Sequence, residues 1–245
     1  MALTKIIGEG VGTINDLTVD TDTLHVDSTN DRVGINTSSP TVALDIKSAD
    51  DNQIQIANTG GGAAFIGIDS SNVLNIGRAG PVDIAFQTNL AERMRIDANG
   101  HVTMPYQSAF LARPSSQQAN LAINTNHTIV FDSEIFDQNA DFSSNTFTAP
   151  VTGKYQLNVH LLIQQMDAAT DYYYINLKTS NRNYDQYWDN NDKAGDNSNG
   201  EGRSVVVLAD MDAGDTAYLE INVPNSGAAQ MDVETASAFS GYLVA

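Results

Sequence analysis

Along the first 105 residues, apolar and polar positions alternate with a period of two in short bursts. Leu24-His25-Val26-Asp27, Leu44-Asp45-Ile46-Lys47 and Ile54-Gln55-Ile56-Ala57 each read as half-buried strand. Asn, Asp, Ser, Gly or Pro bounds every burst, which is strand punctuation. Two phrases place Asn or Gly between strand-like flanks and predict hairpins: DSTNDRVGI at 27–35 and DANGHVTM at 97–104. The one helical candidate, residues 90–95, is too short to stand alone. The Gly run at 60–62 lacks the Lys-Ser/Thr and the helix of a phosphate loop.

A spacing of thirty residues recurs in this half. Leu44, Ile46, Ile54 and Ile56 are followed thirty positions later by Leu74, Ile76, Ile84 and Phe86. Ile14, Leu24 and Val26 sit thirty before Leu44, Ile54 and Ile56, while Asp16 breaks the pattern opposite Ile46. A fixed period of this size predicts stacked units along an axis, set against chance alignment of frequent Leu and Ile. A unit with so few apolar residues cannot bury them alone, so association of chains is the natural solution.

Beyond residue 105 the strands lengthen. Segments 128–131, 153–164, 172–179, 204–208, 217–223 and 238–244 alternate, with nothing helical between them. Together they predict an all-β sandwich or jelly roll. Aromatics sharpen the division: of eighteen, only Phe65 and Phe86 precede residue 105. Aromatic side chains dominate cores and interfaces, so only the second half has the material for an ordinary core.

Charge narrows the function classes. Twelve Lys and Arg face thirty Asp and Glu, a net of -18. Such a surface repels phosphate backbones and anionic membranes, so neither nucleic acid nor membrane is an expected partner. No apolar run approaches the ~20 residues of a membrane helix. Residues 1–12 carry Lys5 without the apolar stretch of a signal peptide. The chain has no cysteine, which excludes disulfides, zinc-thiolate sites and Cys nucleophiles and favours assembly in a cytosol.

Two resemblances then give the pattern a context. The phrase DRVGINTSSPTVALDI, residues 31–46, resembles a repeated module of bacteriophage tail fibres and related virion appendages. ERMRIDANGHV, residues 92–102, is similar to another phrase of those proteins, and the opening MALTKI resembles the start of structural proteins from phages of marine cyanobacteria. The resemblance implies a virion attachment segment at 1–25 and an intertwined trimeric β shaft at 26–105.

The second resemblance covers 106–245. Residues 145–155 (NTFTAPVTGKY), 205–221 (VVVLADMDAGDTAYLEI) and 238–244 (AFSGYLV) occur in the order and spacing of the globular head of the complement-q family, within the tumour necrosis factor-like superfamily. IVFDSEIFDQ at 129–138 is similar to that family's early strand and loop. The resemblance implies a ten-stranded jelly-roll head packed as a threefold trimer, with one sandwich edge covered by the neighbouring subunit. Pro150 and Gly153 fit a tight corner, Gly153 by permitting positive φ, and Gly214-Asp215 a second turn. Phe147, Tyr155, Phe239 and Tyr242 are assigned to core or subunit interface. Tyr172 and Tyr174 share one strand face and are assigned to packing across subunits, with a receptor-facing patch as the alternative.

Catalytic signatures are lacking: the sequence has no G-x-S-x-G elbow and no H-E-x-x-H, and its four histidines are scattered. The chain is therefore not read as an enzyme. Residues 181–203, NRNYDQYWDNNDKAGDNSNGEGR, hold the only Trp and read as a long loop that carries function. Tyr184, Tyr187 and Trp188 are candidates to stack on a sugar ring, with Asp185, Asp189, Asn190 and Asn191 bonding its hydroxyls. The bland alternative is a solvated loop with its aromatics tucked in. It is not an EF-hand, since Ala194 and Gly200 stand at positions six and twelve counted from Asp189. Calcium through a looser carboxylate cluster, with Asp210 and Asp212, is the one cofactor considered.

These readings converge on a homotrimeric phage fibre or spike, assembled in the host cytoplasm. It would meet other virion proteins through its N-terminus and a host-surface glycan or protein through its head. A purely structural capsid decoration or head fibre is the rival, and a polysaccharide depolymerase the weaker one.

Overall fold

The computed structural model describes residues 16–19, 23–49, 53–57, 60, 62–78, 80–167, 169–170, 172–189, 200–224, 228 and 230–245. The described residues are all β, in two compact units, Met1–Thr103 and Met104–Ala245. Most of the attachment segment assigned to 1–25 lies outside them, as do Asn190 and Asn191.

The N-terminal unit holds three small sheets. β1 (Asp16–Val19), β2 (Leu24–Asp27), β3 (Arg32–Ile35) and β4 (Leu44–Ile46) pair in that order. β5 (Ile54–Ala57), β6 (Ala63–Ile68) and β7 (Leu74–Arg78) form the second, and β8 (Ile84–Thr88), β9 (Ala91–Ile96) and β10 (Val102–Thr103) the third. The thirty-residue spacing is a spacing of strands: β2, β5 and β8 begin at Leu24, Ile54 and Ile84, and each opens an antiparallel pair with the next strand. β4 and β7 begin at Leu44 and Leu74. Both predicted hairpins form, β2 with β3 (Asp27 opposite Arg32) and β9 with β10 (Ile96 opposite Val102).

Local chemistry explains the phrase at 31–46. β3 and β4 run parallel, so the chain must cross back within eight residues. Gly34 allows it, because a Cβ there would run into the Thr37 carbonyl. Asn36 takes a left-handed φ of 58° and donates from its amide to the Lys47 carbonyl at 2.8 Å. Arg32 donates to the Pro40 carbonyl and Asp45 accepts from the Thr41 N–H, both at 2.9 Å. The helical candidate at 90–95 is instead strand β9, because Asn89 and Leu90 both adopt positive φ and make a two-residue hairpin turn.

The C-terminal unit is a sandwich of two sheets. One has the order β12-β22-β17-β23-β11-β14, with β20 on the free side of β17. Its strands are β11 (Ala109–Arg113), β12 (Gln118–Leu121), β14 (Ser133–Asp137), β17 (Gly153–Gln164), β20 (Glu201–Met211), β22 (Met231–Val233) and β23 (Ala238–Leu243). The other runs β15-β16-β21-β18-β19, with β13 on β21. Here the strands are β13 (His127–Thr128), β15 (Phe142–Ser143), β16 (Thr146–Thr148), β18 (Tyr172–Thr179), β19 (Asn183–Asp189) and β21 (Thr216–Asn222). That makes thirteen described strands, nine of them of four residues or more, with β13, β15, β16 and β22 as ladders of two or three residues beside them.

Period-2 burial on the long strands builds the core. Tyr155, Leu157, Val159, Leu161 and Ile163 of β17 point inward, as do Tyr173, Ile175 and Leu177 of β18. Phe110 stacks on Phe142 and Phe147, with ring centroids 4.9 and 4.8 Å apart, and meets Phe239 edge-on at 5.0 Å. Tyr155 Oη donates to the Val151 carbonyl at 2.7 Å and closes the corner at Pro150. Gly153 serves this corner by close approach, not by positive φ. A Cβ there would lie 2.7 Å from the Ala245 carbonyl oxygen and 2.8 Å from Leu243. Gly214 does take a positive φ, 92°.

Candidate functional site

Residues 181–203 are not one loop. Residues 183–189 are strand β19 and residues 201–203 begin β20. Among the described strands β19 pairs only with β18, and alternation sorts its side chains onto two faces. Tyr184 and Trp188 oppose the buried Leu177 and Tyr173 and pack against the core. Asp185 and Tyr187 oppose Asn176 and Tyr174 on the outer face. The aromatic trio is therefore divided, and no single ligand meets all three rings on one face.

Trp188 is held from both sides. Its ring stacks on Tyr173 at 5.6 Å and 13°, and the Arg203 guanidinium lies 5.2 Å from its centroid. Arg203 in turn pairs with the buried Glu201. The indole Nε1 is buried without a hydrogen-bond partner among the described residues. Burial raises the Tyr184 and Tyr173 hydroxyls above their ordinary range. Asp189 closes β19, and Asn190 and Asn191 lie outside the described residues.

The outer face gathers a different set. Tyr187 is 61% exposed, and its ring lies 5.3 Å from Tyr174 and 5.9 Å from Tyr172. Asn176 sits between Asp185 of β19 and Glu220 of β21 in register. Lys178 Nζ bridges to Glu220 at 3.0 Å. Sequence reasoning placed Tyr172 and Tyr174 on one face but missed Asn176, Lys178 and Glu220. The signal was available in the period of two, which carries Tyr172, Tyr174, Asn176 and Lys178 along one side of a strand.

Asp210 and Asp212 line a cleft of about 360 Å³ with Lys154 and Asn181. Asp210 is taken by the Arg182 guanidinium at 2.8 Å, and Asp212 receives the Thr152 hydroxyl at 3.4 Å. Among the described residues no three His, Asp or Glu side chains converge to hold a metal ion. Of the residues assigned to core or interface, Phe147, Tyr155 and Phe239 are fully buried. Tyr172 and Tyr174 are half-buried, and Tyr242 is 48% exposed on the outer face of the β17 sheet.

The comparisons with known proteins bear on this unit. A family model described as the C1q domain matches residues 109–244. Among solved structures the chain is similar to the globular domain of zebrafish complement 1qA, at 17% identity over 57% of this chain and 98% of that one, with a TM-score of 0.42. It is also similar to murine APRIL, at 9% identity over 56% and 99%, with a TM-score of 0.42. No curated protein matches the chain.

Proposed function

This chain belongs to the C1q domain family through residues 109–244, and from that premise we propose that it is a homotrimeric fibre or spike protein of a bacteriophage particle whose C-terminal unit binds a host-surface glycan. One observation carries the trimer. In the N-terminal unit no described Val, Leu, Ile, Met or Phe side chain is buried. Leu44, Ile56, Leu74 and Ile76 are 55–66% exposed. A unit that leaves its apolar face in water needs copies of itself to cover it.

The C-terminal unit supports the same reading. Among the described strands β20 and β19 are edge strands, each paired on one side, and a cleft of about 450 Å³ lies between them, lined by Tyr184, Gln186, Val205 and Val207. Val206, Leu208 and Tyr242 stand out from the neighbouring sheet face at 48–64% exposure. A long bare edge beside an apolar face is what a neighbouring subunit covers. The virion setting rests on the phrases at 31–46 and 92–102, and the attachment role of residues 1–25 rests on the same resemblance. Binding is weak per head and is strengthened by three heads on one fibre.

Light scattering on the native protein tests the trimer. The expected mass is three chains of 26.3 kDa, and the mass of one chain overturns the proposal. Incubation with host cells tests the receptor role. No binding at roughly micromolar protein would leave the structural capsid decoration as the function.

A further inference from the structure

Sheet packing does not explain the outer face of the β18 sheet. Asn176 is only 8% exposed there, yet its Oδ1 accepts no hydrogen bond among the described residues. Asn222, in register with Tyr174, leaves its Oδ1 buried and unpaired as well. Tyr174 Oη donates to Asn126 Oδ1 at 3.0 Å, and Asn222 Nδ2 donates to the same oxygen. Buried acceptors without donors are costly, and native proteins rarely keep them without a use. Beside them lie the exposed Tyr187 ring and the Asp185 carboxylate.

Aromatic faces next to unpaired amide oxygens and an exposed carboxylate match a partner that is flat and apolar on one side and rich in hydroxyl donors at its rim. We infer that this face binds a neutral carbohydrate, with a sugar ring stacked on Tyr187 beside Tyr174, one sugar hydroxyl donating to Asp185, and Asn176 Oδ1, closed to solvent in the free chain, opening to a second hydroxyl as the side chains over it shift. The inference rests on the proposed glycan-binding role and deepens it. It moves the contact from a loop to one sheet face, and it leaves Trp188 out of the contact.

Charge decides between sugar classes. Asp185 and Glu220 flank Asn176, and Lys178 answers only Glu220. The Tyr174 hydroxyl is held above its ordinary range, first by burial and then by neighbouring negative groups, Glu220 and Asp185 among them. A field of that sign repels carboxylated or sulfated sugars. A second copy of the chain is a poorer occupant. Tyr187 is the only exposed large apolar side chain on the described strands of this sheet, whereas the other sheet offers Val206, Leu208 and Tyr242.

The test uses the native full chain on an array of neutral and acidic oligosaccharides, with whole host cells in parallel. Wild type is expected to bind a neutral glycan. Tyr187→Ala is expected to weaken that binding about ten-fold or more at an unchanged oligomer mass, with Tyr187→Trp retaining it. Full binding by Tyr187→Ala on the array and on cells sinks the face but spares the receptor role. A wild type that binds neither glycan nor cell sinks both. A preference for acidic glycans, or a loss of oligomer mass in Tyr187→Ala, also overturns the inference, the latter by making this face a subunit contact.

Discussion

The two units share strands, turns and hairpins, yet they treat apolar side chains in opposite ways. Every buried Ala, Val, Leu, Ile, Met, Phe or Tyr side chain among the described residues lies at or after Phe110. In the N-terminal unit Ile54, Ile56, Ile68, Leu74 and Ile76 sit on well-paired strands and remain exposed. Backbone pairing alone therefore does not make a core. A second layer must cover each sheet, and only the C-terminal unit supplies one from the same chain. Aromatic mass marks the difference, with five Phe rings linked by ring contacts in the head.

The sharpest test compares one apolar residue from each unit. Phe110→Ala empties the centre of the Phe cluster and should cost about 3–5 kcal/mol in denaturant unfolding of the head. Ile56→Ala should be near-neutral if its 66% exposure persists in solution. In an assembled shaft it should cost about 2 kcal/mol or more and lower the mass seen at dilution. A neutral Ile56→Ala with unchanged mass would break the comparison, because the N-terminal unit would then stand without burying its apolar face.

Close packing gives the next effect. A Cβ at Gly241 would lie 2.7 Å from Leu157 Cδ2, 2.8 Å from Phe110 Cε1 and 3.1 Å from the Gln156 carbonyl oxygen. Gly241→Ala should therefore cost about 1–3 kcal/mol, read from the midpoint of thermal or urea unfolding. Gly80→Ala meets nothing within 4 Å, so its smaller cost comes from its φ of 93° alone.

Much of the fold was legible because strands write a period of two. β2, β5, β17 and β18 have the bounds that alternation predicts, and the aromatic divide falls beside the boundary between the units. What sequence could not supply was facing. Tyr184, Tyr187 and Trp188 look like one cluster in a polar stretch, but β19 turns two of them inward and one outward. Asn176 carries no local mark, since its importance comes from cross-strand neighbours and a missing partner. Leu90 shows the same limit, for the helix that its spacing suggested was already too short to stand alone. A leucine before a charged, apolar-spaced run suggests a helix, whereas its φ of 60° makes it half of a hairpin turn. A bulky residue there is strained and 94% exposed. Leu90→Gly should accordingly stabilise the N-terminal unit by about 1 kcal/mol, measurable as a rise in its unfolding midpoint.

Acid separates the units by a smaller, purely electrostatic effect. Carboxylates hold the N-terminal turns. Asp27 bonds the Asn30 side chain, Asp45 the Thr41 N–H and Asp69 the Val73 N–H, and each is held below the ordinary carboxylate range by that bond first. Asp97 is lowered to about 2, chiefly by His101, whose Nδ1 lies 2.9 Å away. A group whose folded value is depressed contributes stability above its unfolded value, near 3.9 for Asp, and loses it as pH falls through the folded value. The N-terminal turns should loosen between about pH 4 and pH 2. In the head Asp132, bonded to the Ser115 hydroxyl, is held low in the same way. Amide shifts of Asn30, Val73 and His101 report the first unit, and emission of Trp188, the only tryptophan, reports the second. The shifts should move first while the emission holds, and Asp97→Asn should remove the part of the change centred lowest in pH. Simultaneous movement of both signals would mean that the two units unfold as one.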